Sequence, residues 1–280
     1  MQLARVSNGR EEFWCRREET GTSVRRIGAS FRDWAPAITS GDGLDALQLT
    51  GTPLATDELR FLPPFDPWAR VVVAGANYSK HLTEFGVPQV QSPFAFLKAN
   101  GALIGAHDDI RYPPLTEKLD YEVELVAVIG TDRVDLNNPY KSVLGWTVGN
   151  DVSARDLQRS GPKGIGMDLF AAKSQDRSTP VGPWIVTRDE FPADATPVCR
   201  MMTRVNGEIR QNASTGDMTF KVDEIIRFVQ QRSSFGIGDL LFTGTPDGVA
   251  DGSGKFLKAG DVVEAEIEGV GLLRNTVSKD

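Results

Sequence analysis

The sequence predicts an α+β chain dominated by strands, and three observations carry that expectation. Residues 119–129 alternate side-chain character with period two over their whole length, the signature of a strand. Residues 221–232 form the one clear amphipathic helix, with Val222, Ile225, Ile226 and Val229 on one face. Strand-like and helix-like segments do not alternate as βαβ units require, which argues against a doubly wound parallel sheet.

In chain order, residues 1–68 read as a small β-rich N-terminal domain. Short β-like pieces at 12–16 and 23–27 lie among Gly and Thr turns and end in Phe61-Leu-Pro-Pro-Phe-Asp-Pro-Trp68. Pro63, Pro64 and Pro67 lack a ladder donor and restrict the residues before them, so the boundary is expected there. The larger domain, 69–280, opens with a buried strand at 71–74 and a second at 94–98. Asn206-Gly207 is the dipeptide of a tight hairpin. Strands are expected again at 239–243 and 262–268.

Bulk properties narrow the class. With 31 basic and 38 acidic residues the net charge is −7, which argues against nucleic acid or an anionic membrane as main partner. The first twelve residues have no apolar core, and the stretches 71–76 and 123–130 are far too short to span a bilayer, so no signal or membrane segment is expected. Cys15 and Cys199 lack metal-type spacing and read as free thiols, which places the chain in the cytoplasm. If the substrate is an anion, an acidic protein must concentrate positive charge locally.

The chemistry concentrates in three places. Alternation sends Asp120, Glu122 and Glu124 to one face of the 119–129 strand, followed by Val126 and Val128, so the acids are expected at the mouth of an apolar surface. Adjacent carboxylates there resist desolvation unless a cation neutralises them, and carboxylates without Cys or clustered His select Mg²⁺, Mn²⁺ or Ca²⁺. The alternative is a strand with one wet polar face. Residues 145–158 read as a strand running into Asp151, then a helical turn capped near Ser153 with Arg155 and Gln158 on one side. A surface turn is the plainer reading. His81 lies three residues before Glu84, so in a helical turn the carboxylate orients the imidazole and makes it a base able to deprotonate water. A surface His with a chance acidic neighbour is the alternative. His107, in an exposed-looking turn, reads as structural.

Taken together, residues 70–277 resemble the fumarylacetoacetate hydrolase family. The motifs are Gly-Ala-Asn-Tyr-x-x-His-x-x-Glu at 75–84, Phe-Leu-Lys at 96–98, Leu-Asp-Tyr-Glu-Val-Glu-Leu at 119–125, Gly-Asn-Asp-Val-Ser-Ala-Arg-Asp-Leu-Gln at 149–158 and Leu-Phe-Thr-Gly-Thr-Pro-Asp-Gly-Val at 241–249. The resemblance implies a mixed β-sandwich roll assembled as a homodimer. It implies that Glu122, Glu124 and Asp151 bind Mg²⁺ or Mn²⁺, with Ca²⁺ as a substitute, and that His81 and Glu84 activate water. Arg155, Gln158 and Lys173 match positions that hold substrate oxygens, and Thr245 matches a loop that contacts the substrate carboxylate. Two segments depart from the pattern: Arg177 stands where many members have Thr, and residues 161–168 look like a subgroup insertion.

The expected activity is hydrolysis of a carbon–carbon bond in a small anionic 2-oxo acid of the 2,4-dioxo (acylpyruvate) type. His81 supplies the activated water, and Lys173 and Gln158 face developing oxyanion charge. The absence of a Gly-x-Ser-x-Gly elbow agrees with attack by water. An oxaloacetate-type decarboxylase or a 2-oxo-diene-dioate isomerase on the same scaffold is the alternative, and a non-catalytic metal binder is a third reading.

Overall fold

The larger sheet is built around the strand Val123–Ile129, every residue of which is buried. The computed structural model describes residues 1–279. Because both faces of this strand are covered, alternation divides its side chains between two cores instead of between core and water. Val123, Leu125, Ala127 and Ile129 pack with Met201, Ala265, Ile267 and Leu273 of a second sheet and with the helix Val222–Gln230. Val126 and Val128 pack with Phe31, Trp34 and Ile38 of the helix Phe31–Ser40.

Along the larger sheet the strands run Leu49–Ala55, Ser23–Ile27, Glu12–Arg17, Gln2–Ser7, Thr179–Thr187, Val143–Asn150, Val123–Ile129, Leu240–Phe242, Val71–Gly75 and Phe94–Lys98. Gln2–Ser7 pairs antiparallel with Thr179–Thr187, so the N-terminal strands extend the sheet that carries the site. The Pro63–Pro67 turn, where the sequence suggests a boundary, lies between Arg60–Leu62 and Val71–Gly75. The second sheet runs Glu208–Ser214, Arg200–Val205, Val262–Ile267, Gly271–Ser278 and Ile110–Arg111. Strands dominate, helices are few and the sheets stay open, as expected for a mixed roll.

Local signals mostly hold. The hairpin turn places Asn206 at φ 51° and Gly207 at φ 80°, the left-handed pair that its two-residue loop requires. Helix Val222–Gln230 buries the same four apolar residues that its periodicity singles out. Its start is closed by Glu224, whose carboxylate accepts from the Lys221 N–H at 2.8 Å.

The 119–129 strand is not continuous. Leu119–Asp120 pairs with Ser153–Ala154 in a separate ladder, and the chain breaks at Tyr121 and Glu122. There the Tyr121 N–H donates to Asp120 Oδ1 (2.8 Å) and the Glu122 N–H to Asn150 Oδ1 (2.9 Å). These side-chain acceptors replace ladder partners and let the strand change sheets. Cys15 is buried and free, its thiol pushed up to about 12 by that burial, and Cys199 is half-buried and free. Among the described residues no helix is long and apolar enough to cross a membrane.

Candidate active site and metal centre

The break after Asp120 is what assembles the site. Asp151 directly follows the strand Val143–Asn150, whose register pairs Asn150 with Val123. The Asp151 N–H therefore donates to the Glu122 carbonyl at 2.9 Å, placing the two acids side by side. One carboxylate oxygen from each of Glu122, Glu124 and Asp151 lies within 4.8 Å of the others, and all three residues are buried. They sit at the floor of a cavity of ≈ 540 Å³ that His81, Arg155, Gln158, Lys173 and Thr245 also line. The acids are thus buried at a partly apolar cavity, which excludes the alternative of a strand with one wet polar face.

Positive charge meets them there. Lys173 Nζ bridges Glu122 Oε2 (2.7 Å) and Asp151 Oδ2 (2.6 Å). Arg155 pairs with Asp120 Oδ2 through Nε (2.7 Å) and with Glu122 Oε1 through Nη2. Lys98, on the edge strand, reaches Asp151 Oδ1 at 2.7 Å and Thr179 Oγ1. Burial alone would raise the Glu122 carboxyl, but Lys173 and Arg155 outweigh it and hold the group down at about 2. Glu124 goes the other way. Burial, Asp151 and Glu122 push it well above the ordinary carboxylate range, and among the described residues its one hydrogen bond is from the Gly244 N–H at 2.7 Å.

The local charge is unbalanced. Four buried carboxylates, Asp120, Glu122, Glu124 and Asp151, face three buried cations, Lys98, Arg155 and Lys173. Among the described residues Glu124 is the one of the four with no ion-pair partner. An all-oxygen cluster with one uncompensated carboxylate fits a hard divalent cation, and Glu122, Glu124 and Asp151 are the residues that would hold it.

The remaining expected residues are placed as follows. His81 and Glu84 share the short helix Ser79–Glu84, with Nδ1 and Oε2 3.7 Å apart, longer than a hydrogen bond. Glu84 instead accepts from the Gly248 N–H at 3.3 Å and abuts Gly252, where a Cβ would meet Glu84 Oε1 at 2.1 Å. The helix is therefore docked on residues 248–252, at the start of the short helix Ala250–Ser253. Burial, with Arg155 and Lys173 nearby, pulls the His81 imidazole below its ordinary value, so it is neutral near pH 7. Gln158 Oε1 accepts from Arg155 Nη1 at 3.1 Å. The Thr245 hydroxyl is engaged with the Val123 carbonyl (3.0 Å) and Gln211 Nε2 (2.9 Å), so it braces the floor. His107 is exposed, its ring edge-on to Phe61. Ser153 does not cap the helix Arg155–Gln158. It is taken into the short Ser153–Ala154 strand, and its hydroxyl donates to the Asp151 carbonyl.

Lys98 and Asp120, to which the sequence reading assigned no role, also contact the site residues. Asp120 clamps Arg155 and accepts the N–H groups of Ala250 (2.6 Å) and Asp251 (3.1 Å). The available signal for Lys98 was a lone cation ending an apolar edge strand. Replacing Lys98 with Met removes one of the two cations paired with the fully buried Asp151, leaving Lys173, and is expected to cost roughly 2–3 kcal/mol in denaturant unfolding. A loss below about 1 kcal/mol would show the pair to be dispensable.

Known proteins resemble this chain in sequence and fold. Residues 70–278 match the family profile "Fumarylacetoacetate (FAA) hydrolase C-terminal". Oxaloacetate tautomerase FAHD2A of Bos taurus is 38% identical over 228 residues, which is 80% of this chain and 71% of that protein. A 5-carboxymethyl-2-hydroxymuconate delta-isomerase from Mycobacterium smegmatis superposes with a TM-score of 0.80 at 30% identity, over the full length of both chains. A fumarylacetoacetate hydrolase from Exiguobacterium antarcticum superposes at 0.79 with 32% identity, again over both full lengths. With three-quarters of its length matched to the profile and its whole length matched by these structures, the chain belongs to the fumarylacetoacetate hydrolase family.

Proposed function

We propose that this protein is a divalent-metal-assisted hydrolase that cleaves the C3–C4 bond of a 2,4-dioxo acid. The observation that carries the reading is a largely enclosed His81 in the same cavity as three clustered carboxylates and the Lys173 and Arg155 cations. A divalent ion held by Glu122, Glu124 and Asp151, Mg²⁺ or Mn²⁺ by the chemistry of the donor set, would supply Lewis acidity at the 2-oxo-acid end of the substrate.

The protein's own groups do the rest. With a divalent ion in place, the four carboxylates would be outweighed by the ion together with Lys98, Arg155 and Lys173. Lys173 and Arg155 would then face the carboxylate and 2-oxo group of the substrate, which is how a chain of charge −7 would bind an anion. His81 takes a proton from water, and the water oxygen bonds to the C4 carbonyl carbon. The C3–C4 bond then breaks, its electron pair passing to C3, which recovers the proton from His81. A carboxylic acid and a shortened 2-oxo acid leave. Glu84, 3.7 Å from His81, offsets the transient imidazolium charge.

Proton transfer at C3 without bond cleavage is the second reading, favoured by the relatives named as a tautomerase and an isomerase. It uses the same His81 and the same floor, so fold alone does not separate the two. The test is to incubate the purified protein with Mn²⁺ and either benzoylpyruvate or oxaloacetate. Equimolar benzoate and pyruvate support hydrolysis. A changed keto–enol ratio of oxaloacetate, with benzoylpyruvate intact, selects tautomerisation, and released CO₂ selects decarboxylation.

A further inference from the structure

Three elements meeting in the cavity each carry a basic side chain near the acids and apolar ones further along. On the strand Phe94–Lys98, alternation puts Lys98, Phe96 and Phe94 on one face. Lys98 reaches Asp151, whereas Phe96 and Phe94 line the cavity wall. At roughly 3.3 Å per residue the two rings stand about 7 and 13 Å along the strand from Lys98. On the helix Leu169–Lys173 the end residues lie one turn apart on one side, Lys173 among the acids and Leu169 on the wall. His81 is followed one turn later by Phe85, their ring centroids 5.1 Å apart.

The outer half of the cavity therefore offers aromatic and aliphatic surface. Phe94 is 44% exposed and Met167 50% exposed at its rim. Met167 belongs to the 161–168 segment that departs from the family pattern. Positive charge at the rim is offset, because Arg159, the outermost cation on the wall, pairs with Asp251. Among the described residues the other Arg and Lys side chains lining the cavity, Arg155 and Lys173, are paired at the floor. A second carboxylate on the substrate would have to share Arg159 with Asp251 or lose its hydration against Phe94 and Met167. The volume of ≈ 540 Å³ also lies in the range that encloses a drug-sized ligand, well beyond a four-carbon diacid.

We infer that the outer half of the site holds an uncharged apolar substituent, so that the substrate is a 2-oxo acid carrying an aromatic or bulky alkyl group in place of a second carboxylate. The inference rests on the reading of the floor as a metal-assisted 2-oxo-acid site and specifies its substrate class. Van der Waals contact with Phe94, Phe96 and Met167 supplies the preference, and the displaced water supplies the driving force.

The test is calorimetric binding to the Mn²⁺-loaded protein of three stable mimics: oxalate, N-benzyloxamate and N-(carboxymethyl)oxamate. The last two share a head group and differ only in an apolar or charged tail. N-benzyloxamate is expected to bind roughly tenfold or more tighter than N-(carboxymethyl)oxamate. Phe94→Arg, at a half-exposed position, is expected to shift that ratio at least about tenfold towards the charged tail. Both mimics are measured on the same sample, so any loss of folded protein cancels from the ratio. Oxalate binding with equal affinity for the two tails, or with the charged tail preferred by the unmodified protein, overturns the tail assignment alone. Failure of oxalate to bind overturns it together with the reading of the floor.

Discussion

Replacing Glu124 with Gln is expected to lower metal-dependent turnover by more than roughly a hundredfold, the upper limit for losing a mere neighbour of a ligand. It is also expected to leave the metal-free protein as stable as before or slightly more so. The second half follows from the charge balance at the floor. Glu124 is buried without an ion-pair partner, and Asp151 and Glu122 beside it oppose its ionisation. A neutral amide of the same shape removes that cost and still offers an oxygen to the Gly244 N–H. Glu122→Gln makes the contrast. It deprives Arg155 and Lys173 of a shared anion and is expected to destabilise the metal-free fold by about 3–5 kcal/mol.

The two acids also differ in how they respond to pH. The folded-state pKa of Glu124 is raised, so its protonated form favours the fold, and that contribution fades as pH rises through the folded value. The Glu122 pKa is depressed to about 2, so its contribution is present above its unfolded value near 4.5 and is lost as pH falls towards 2. Thermal melts from about pH 2.5 to 8, with and without Mn²⁺, read both effects, the Glu122 loss at the acid end and the Glu124 loss towards the alkaline end. Mn²⁺ should raise the midpoint of the unmodified protein and not that of Glu124→Gln. An undiminished Mn²⁺ response in that variant would remove Glu124 from the metal site.

How much of this was legible depends on whether the cause is local. The helix Val222–Gln230, the Asn206-Gly207 hairpin and the alternation from Val123 to Ile129 are written in neighbouring residues, and each appears where expected. Glu122, Glu124 and Asp151 were legible as acids that make no sense without a cation, and the structure gathers them. Lys98 was not, because its role comes from pairing with Asp151, an acid from a distant strand. The break at Tyr121 and Glu122 was hidden for the same reason, since it depends on Asn150 supplying the acceptor that the ladder lacks. Alternation also could not tell a strand buried on both faces from one that is wet on one side, because acids paired inside the molecule read like acids in water. The joining of Gln2–Ser7 to Thr179–Thr187 leaves no trace in either segment taken alone.

For the base, His81→Asn is expected to reduce kcat by about 10²- to 10⁴-fold while Mn²⁺ affinity is retained, the range for losing a positioned general base. The pH profile carries more information than the size of the loss. Burial and the nearby Arg155 and Lys173 charges lower the His81 pKa from 6.5, so the neutral base persists to more acidic pH than an ordinary histidine. Activity should therefore hold through pH 6.5 and fall only as the pH drops below it. Glu84→Gln should cost less than His81→Asn, since 3.7 Å separates the pair and Glu84 is also engaged by the Gly248 N–H. An acid limb centred above 6.5 in the unmodified enzyme would run against the burial that lowers the His81 value, and its persistence in His81→Asn would move the base to another group. A limb below 6.5 that disappears in His81→Asn, with Mn²⁺ still bound, would tie the proton transfer to this ring and leave the carboxylates as holders of the ion.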